Sequence, residues 1–397
     1  MADTLELYYE DAYLKEFEAT VTSCKDGGDG SFFVCLDRTA FFPEQGGQSC
    51  DQGKLIDDSG KEHTVKYVSI SDGIITHVID GAISEGSKVH GVIDFDHRFS
   101  NMQQHTGEHI FSGIVHSRFG YDNVGFHLSD SEVTMDYNGP LTDEDIARIE
   151  LSVNEAIWAN LEVKCEFPSD TELETIDYRS KKELTGAIRI VTIPGVDVCA
   201  CCAPHVLRTG EIGLLKVVKT QNYKGGIRVS ILCGKRALEY INGEHGIVED
   251  LVGIFTTSQD KIVESVGRLQ SDLGLFKSQV AELQGRLLDY ELQEIDKSLS
   301  SVFLVKESSF DQNQMRKTVN MLAAEHPGFC GVFAGDSDKG YRYIVASGTD
   351  GAEARLLQGI LREEFGAKGG GNSPMIQGSL VSDDIEAVIK RCQEFKV

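Results

Sequence analysis

The sequence predicts an α+β protein built from a small β-barrel, an α/β core, one long helix and a second α/β domain. Three observations support this prediction. They are evenly spaced β-rich segments near the N-terminus, a long heptad repeat of apolar residues in the second half, and α/β alternation on both sides of that repeat. A chain of 397 residues is too long for one hydrophobic core, so we expect several domains.

The first two predicted domains cover residues 1–95 and 96–245. In 1–95, short β-rich runs alternate with Gly, Asp and Ser turns, which predicts a small β-barrel. The second domain is predicted to be an α/β core that starts with a helix around 98–117. A further helix around 142–159 opens with Thr142 as N-cap before acidic residues, and strand-like runs complete the domain.

The segment 246–296 is predicted to be a helical coiled-coil linker, followed by a separate α/β domain over 297–397. From Ile262 to Tyr290, nine large apolar residues alternate at spacings of four and three, the pattern of a coiled-coil seam. Three glycines weaken a long isolated helix, so a helix packed on its own domain is the alternative. A coiled-coil seam on a soluble chain predicts a homodimer.

The composition bears on the cellular location. No apolar run approaches the roughly 18 residues of a membrane helix, and we expect no membrane partner. The acidic, mixed N-terminus lacks the features of an export signal. Ten cysteines in such a chain are expected to be reduced thiols and metal ligands, which predicts a cytoplasmic protein.

The charge distribution leaves nucleic acid open as a partner. The net charge of −25 argues against phosphate binding. Between Arg179 and Arg236, however, eleven Lys or Arg stand against three Asp or Glu, so this window carries +8. We interpret it as a local binding surface for a polyanion, and a solvated surface of mixed charge is the alternative.

Two segments contain the residues expected to bind a metal. His105 and His109 are four apart and therefore lie on one helix face, one turn apart. A second segment supplies three thiols and an imidazole, which are Cys199, Cys201, Cys202 and His205. Two ligands from each of two distant segments is a common zinc arrangement. The alternative is a set of unrelated surface histidines and buried thiols.

The residue that follows His105 excludes a metalloprotease. That class needs a glutamate directly after the first histidine, where this chain has Thr106. Glu108 precedes His109, and we expect its side chain to point away from the metal-binding face.

Four segments of the chain have the composition and order of known family motifs. They are "TAFFPEQGGQSCDQG" (39–53), "QQHTGEHIFSG" (103–113), "CCAPHVLRTGEIG" (201–213) and "FGAKGGGNSPMIQGSL" (365–380). The first three resemble the editing domain of alanyl-tRNA synthetase and its free-standing relatives, the alanyl-tRNA editing proteins. The fourth resembles the glycine-rich signature of the C-terminal domain that these synthetases share with DHH-type phosphoesterases. With a coiled-coil segment between, the chain is similar to the long form of these editing proteins.

The resemblance implies one Zn²⁺ per chain, held by His105, His109, Cys201 and His205. The family's cysteine stands four residues before its last histidine, which favours Cys201. Cys199 and Cys202 remain alternatives, because Cys202-Ala203-Pro204 replaces the family's glycine-rich linker. Four protein ligands are typical of a zinc site with no open coordination position. Zinc would therefore position the aminoacyl ester of the substrate and polarise its carbonyl rather than chiefly activate water.

The implied activity is hydrolysis of the aminoacyl ester that joins serine or glycine to mischarged tRNA(Ala). The resemblance assigns recognition of the serine hydroxyl to Thr39 and orientation of the aminoacyl end to Gln48. Gly46 and Gly47 would let the terminal adenosine approach the backbone. The alternative for this segment is a tight hairpin connection with no role in binding.

The resemblance also implies tRNA contacts and excludes two activities. The expected tRNA contacts are Lys224, Arg228, Lys368, Gly369, Gly370 and Gly371, whereas Val229 replaces a second expected arginine. The chain opens on the barrel, so we expect no aminoacylation. Its nearest approach to the DHH triplet is "DHR" (96–98), which removes the phosphoesterase metal site. A non-catalytic, zinc-containing tRNA- or RNA-binding protein is the alternative function.

Overall fold

The computed structural model describes residues 3–180 and 187–395. The chain divides into two compact units, Met1–Ile254 and Phe255–Val397. The predicted mixture of helices and strands with an N-terminal barrel is confirmed. The predicted domain limits at 95, 245 and 296 are finer than these two units and stay predictions. Lys181 and Lys182, which belong to the basic window, lie outside the described residues.

The first unit begins with a closed barrel of six strands. Its elements are β1 (Leu5–Glu6), α1 (Leu7–Glu10), β2 (Glu16–Gly28), β3 (Ser31–Leu36), β4 (Arg38–Thr39), β5 (Gly53–Asp57), β6 (Glu62–Ser71), β7 (Ile74–Ile79) and β8 (Lys88–Ile93). The barrel order is β2-β3-β7-β6-β5-β8, and β1 pairs with β4. On β7 the buried residues alternate as Ile75, His77 and Ile79, so that a histidine lies in the barrel core.

Helix α2 (Phe95–Phe119) follows the barrel and is the helix predicted to carry both histidines. Asp94 caps its first turn by accepting a hydrogen bond from the backbone N–H of His97. Gly120, with a φ of 69°, ends it in the left-handed conformation. Every residue from 101 to 115 is buried, so neighbouring elements must satisfy the polar side chains of this stretch.

Two small sheets and three helices complete this unit. The elements are β9 (Asn123–Leu128), β10 (Val133–Tyr137), α3 (Asp143–Trp158), β11 (Lys164–Glu166), α4 (Asp170–Leu173), β12 (Ile190–Ile193), β13 (Asp197–Ala200), β14 (Leu215–Tyr223), β15 (Gly226–Cys233) and α5 (Gly234–Phe255). The sheet orders are β14-β15-β10-β9 and β11-β12-β13. Thr142 forms a capping box with Asp145, which confirms it as the N-cap of α3.

The second unit is a five-stranded sheet with helices. Its elements are α6 (Ile262–Glu294), β16 (Val302–Lys306), α7 (Gln312–Glu325), β17 (Phe329–Asp336), β18 (Gly340–Ser347), α8 (Ala354–Phe365), β19 (Lys368–Gly371), β20 (Met375–Leu380) and α9 (Ile385–Glu394). The strand order is β16-β17-β18-β20-β19, so the glycine-rich β19 lies at an edge.

Helix α6 contains the predicted heptad seam. Seven seam residues are each at least 52% exposed, namely Leu269, Leu273, Phe276, Val280, Leu283, Leu287 and Tyr290. The face that packs against the sheet of this unit is a different one, with Leu288 buried and Leu292 half-buried. Most of the seam is therefore not covered by its own domain. Helical structure is interrupted between Phe255 and Gln259, so 246–296 is not one continuous helix. Among the described residues no helix has the length and apolar content required to cross a membrane.

Candidate metal centre

Four side chains from two distant segments converge within the first unit. His105 and His109 lie on α2, and Cys201 and His205 lie just after β13. One potential ligand atom from each lies within 4.8 Å of the other three. The Sγ of Cys201 is 3.5 Å from Nε2 of His105 and 3.4 Å from Nε2 of His205. Tetrahedral zinc bonded to one nitrogen and one sulfur separates them by about 3.6 Å, so the donor set and its spacing fit zinc.

Each imidazole is oriented by a hydrogen bond from the ring nitrogen that points away from this cluster. Nδ1 of His105 donates to Oε1 of Gln48 at 2.7 Å, and Nδ1 of His109 donates to Oδ2 of Asp197 at 3.0 Å. These bonds leave the Nε2 lone pairs of both rings directed at the shared centre. Such outer partners set both the tautomer and the direction of metal-binding histidines.

His205 is held by a hydroxyl rather than by an amide or a carboxylate. Its Nδ1 is 3.0 Å from Oγ1 of Thr106, whose own proton goes to the carbonyl of Met102 at 2.8 Å. Because that proton is already used, the threonine oxygen accepts from the imidazole. Thr106 therefore has a structural role at the position where a metalloprotease would have its catalytic glutamate.

Asp197 joins the metal cluster to a partly buried arginine, Arg179. Its carboxylate accepts two hydrogen bonds from Arg179, at 2.7 and 3.0 Å, in addition to the one from His109. Burial alone would raise the pKa of Asp197, but the hydrogen bonds from His109 and Arg179 lower it overall. The carboxylate therefore stays ionised and orients His109.

The two alternative cysteines occupy different surroundings. Cys199 forms a second potential group with His109 and Asp197, but the carboxylate of that group is already bound by Arg179. Burial raises the pKa of the Cys199 thiol, and it raises that of Cys202 to about 12. The four-residue cluster contains Cys201. The identity of the sulfur ligand stays a prediction in favour of Cys201.

Glu108 does not point away from the cluster, and that expectation is wrong. Its Oε2 lies 4.0 Å from Nε2 of His109. Although adjacent positions on a helix are about 100° apart, a glutamate side chain is long enough to turn back. Ser112, one turn further along α2, and Asn123 both donate to Oε1 of Glu108 at 2.6 Å and hold it there.

A cavity of about 570 Å³ leads to the metal cluster. Its lining includes His105, His109 and Cys201, the loop 45–47, the strand residues 124–126, and the aromatic side chains of Tyr9 and Phe167. Gly46 and Gly47 have φ values of 65° and 86°, which favour glycine. A Cβ on Gly47 would also lie 2.6 Å from the carbonyl oxygen of Phe126, so the loop packs closely against β9.

Comparison with known proteins gives matches to synthetase families. Residues 5–97 match the family described as tRNA synthetases class II (A), and residues 188–230 match the threonyl and alanyl tRNA synthetase second additional domain. Alanine–tRNA ligases are similar over 95–100% of this chain, with 32% identity in Archaeoglobus fulgidus, 30% in Pyrococcus furiosus and 29% in Ignicoccus hospitalis. This chain is related to alanyl-tRNA synthetase.

The similarity covers only part of each relative. The chain spans 42–44% of the length of these three alanine–tRNA ligases. The C-Ala domain from the Aquifex aeolicus alanyl-tRNA synthetase is 17% identical and covers 24% of this chain and 87% of its own, with a TM-score of 0.21.

The resemblance to alanyl-tRNA synthetase suggests Thr39 and Gln48 as catalytic residues. Neither of them lies on the wall of the cavity. Gln48 is fully buried and bonded to His105. Thr39 is also fully buried, with Oγ1 2.9 Å from Nε2 of His77. Nδ1 of His77 donates to the carbonyl of Val34, so Nε2 accepts the threonine proton. Burial lowers the pKa of His77 to about 4, which keeps this ring neutral. Direct contact of Thr39 or Gln48 with substrate stays a prediction.

The residues suggested for tRNA binding lie in both units. Arg228 on β15 makes two hydrogen bonds to Asp136, at 2.5 and 2.7 Å, so a phosphate would compete with that carboxylate. Lys224 lies in the preceding turn over the ring of Tyr223. Lys368, Gly369, Gly370 and Gly371 form the exposed edge strand β19 of the second unit. Their role in binding tRNA stays a prediction.

Sequence reasoning missed Arg179, Asp197 and Thr106 as partners of the metal cluster. One signal was present, because Asp197 stands two residues before the cysteine-rich run, and buried metal-binding histidines often need a carboxylate. Arg179 and Thr106 gave no comparable signal.

Proposed function

We propose that this chain hydrolyses the aminoacyl ester of tRNA(Ala) mischarged with serine or glycine, and thereby protects the fidelity of translation. The observation that carries the proposal is the convergence of His105, His109, Cys201 and His205 at a cavity whose wall includes Gly46 and Gly47. The named relatives are alanine–tRNA ligases, which supports tRNA(Ala) as the partner.

Serine and glycine resemble alanine so closely that a synthetase pocket for alanine cannot reject them fully. A second site that removes the wrong amino acid is therefore needed. An apolar pocket rejects an added hydroxyl by only about a hundredfold. A site that hydrogen-bonds the serine hydroxyl reverses this preference, because alanine would leave its polar groups unpaired. A separate deacylase can therefore correct errors that a pocket for alanine cannot avoid.

The residues of the cluster would hold one Zn²⁺, which supplies Lewis-acid polarisation of the ester carbonyl when bound. The protein side chains do the rest. Asp197 and Gln48 orient the imidazoles of His109 and His105, and the close packing of Gly47 on β9 fixes the loop beside the cavity. Four protein ligands favour positioning of the ester over generation of a metal-bound nucleophile.

The second unit would add affinity for tRNA. A cavity of about 690 Å³ there is lined by Gly369, Gly370 and Gly371, together with Arg316 and Arg342. Arginines and exposed backbone N–H groups suit phosphate contacts that position a nucleic acid. The exposed seam of α6 supports a homodimer. A cytoplasmic location belongs to the same proposal.

Release of labelled serine from Ser-tRNA(Ala) tests the proposal. We expect release of serine and glycine, with Ala-tRNA(Ala) left intact as the control substrate. Chelation should stop the reaction and added zinc should restore it. Cys201→Ser should be inactive, whereas the matched variant Cys202→Ser should keep its activity. Tight tRNA binding without release of serine would instead favour the non-catalytic tRNA- or RNA-binding protein.

A further inference from the structure

Arg98 on α2 and Asp51 form an ion pair to which the proposed function assigns no role. Both side chains are fully buried. The guanidinium donates from Nε to both carboxylate oxygens, at 2.8 and 2.9 Å, and from Nη2 to Oδ2. Taking two charges out of water can cost as much as their attraction returns, so a buried ion pair is weak evidence for a role in stability alone. The further contacts of this pair therefore bear on its role.

Those contacts join the ion pair to two places in one segment of the chain. Nη2 of Arg98 also donates to the carbonyl of Ala40 at 2.5 Å. Oδ2 of Asp51 accepts the backbone N–H of Phe42 at 2.5 Å, and the backbone N–H of Asp51 donates to the carbonyl of Phe42 at 2.9 Å. Arg98 therefore holds both ends of the segment 40–51 against α2.

The segment 40–51 includes part of the cavity wall and a partner of a predicted metal ligand. Residues 45–47 line the cavity, and Oε1 of Gln48 accepts the hydrogen bond from Nδ1 of His105 at 2.7 Å. Arg98 and His105 are seven residues apart, which is close to two helical turns, so both side chains project from one face of α2. The same helix face thus contacts the segment at its ends and again at Gln48.

We propose that Arg98 is a positioning residue of the metal centre: by binding both ends of the segment 40–51 to α2, it holds Gln48 against Nδ1 of His105. Metal-binding histidines depend on such an outer partner for their tautomer and direction. Arginine suits this role because its planar set of donors reaches a carboxylate and a carbonyl together, whereas lysine is a point charge. The inference rests on the metal centre of the proposed function, but it does not require that the chain act on tRNA.

A double-mutant cycle separates positioning from general stability. Arg98→Lys keeps a positive charge for Asp51 but loses the planar set of donors, and Gln48→Met removes the hydrogen bond to His105 with little change in volume. Chelator competition on the full chain should show about tenfold weaker Zn²⁺ binding in each single variant. Because Arg98 acts through Gln48, the double variant should bind Zn²⁺ within about twofold of Gln48→Met alone.

Arg236→Lys is the matched control. Arg236 also donates to α2, at Asn101, but its second hydrogen bond goes to the carbonyl of Ser129 rather than to the segment 40–51. Its Zn²⁺ affinity should match that of wild type. If Arg98→Lys does not fold, Arg98→Met combined with Asp51→Asn takes its place in the cycle, because this pair of changes removes both buried charges together.

Three results would count against these ideas, and they can be told apart. Wild-type Zn²⁺ affinity in Arg98→Lys, or additive losses of about 100-fold in the double variant, would overturn the inference and limit the ion pair to packing. Wild-type protein that binds no zinc would overturn it together with the proposed metal centre. Intact zinc binding without hydrolysis of Ser-tRNA(Ala) would count against the proposed function only.

Discussion

Nδ1 of His109 lies 3.0 Å from the carboxylate of Asp197, which Arg179 holds by two further hydrogen bonds. A metal ligand is thus oriented by a carboxylate that is itself oriented by a partly buried arginine. Rotation of the His109 imidazole would break its hydrogen bond to Asp197. The direction of Nε2 is therefore set by the folded chain before any metal binds.

Asp197→Asn should weaken zinc binding by about 10- to 100-fold, because the amide no longer attracts the Nδ1 proton of His109 with a full negative charge. Chelator competition measures the change. Asp136→Asn is the matched control, since Asp136 also pairs with an arginine, Arg228, but is absent from the metal cluster. Equal zinc affinity in Asp197→Asn and wild type would show that this carboxylate does not orient the ligand.

Loss of a ligand should remove the metal. Alanine at His105, His109 or Cys201 should reduce bound zinc far below one per chain, because three remaining ligands bind much more weakly. Metal analysis of purified variants is the measurement. Cys199→Ala and Cys202→Ala should keep their zinc, and loss from Cys202→Ala alone would transfer the sulfur ligand to that residue.

Thr39→Val should affect both stability and specificity. Loss of the hydroxyl leaves Nε2 of buried His77 without its donor, which should lower the free energy of unfolding by about 1–3 kcal/mol. The resemblance further predicts that serine release slows by about 1–3 kcal/mol in transition-state binding and glycine release slows less. Equal slowing for both substrates, together with the stability loss, would limit Thr39 to packing of the barrel.

The buried histidine of the barrel should make stability depend on pH. The pKa of His77 is about 4 in the folded chain and about 6.5 when unfolded, so the unfolded chain binds more protons between these values. Stability should therefore fall as pH decreases from 6.5 to 4, by about 3 kcal/mol in total from this residue. Denaturant unfolding of His77→Gln should show a flatter profile. The exposed His245→Gln is the control, and its profile should match wild type.

The seam of α6 should hold two chains together. Leu273→Glu with Leu283→Glu places charges on residues that are 53% and 62% exposed in one chain, so the double variant should sediment as a monomer while wild type is a dimer. Val381→Glu, also at an exposed apolar position but outside α6, should remain dimeric. A monomeric wild type at micromolar concentration would contradict the coiled-coil prediction.

Much of the fold was accessible from sequence because it depends on local backbone geometry. Evenly spaced β-rich runs separated by turn residues mark the barrel strands, and Thr142 before a run of acidic residues marks the start of α3. The spacing of His105 and His109 places both imidazoles on one face of a helix. The heptad spacing predicted the seam of α6 for the same reason. Periodicity alone, however, does not show whether the seam packs against its own domain.

What the sequence determined by itself was the chemistry of the donors and their local spacing: two imidazoles one helical turn apart, and a thiol four residues before a third imidazole. Only the tertiary structure decided which groups surround them. Gln48 contacts His105 across 57 residues, Asp197 contacts His109 across 88, and Thr39 lies against His77 rather than on the cavity wall. The turn of Glu108 back to His109 also required Asn123 from a neighbouring strand. Such contacts depend on how whole elements pack, and local periodicity carries no information about that packing.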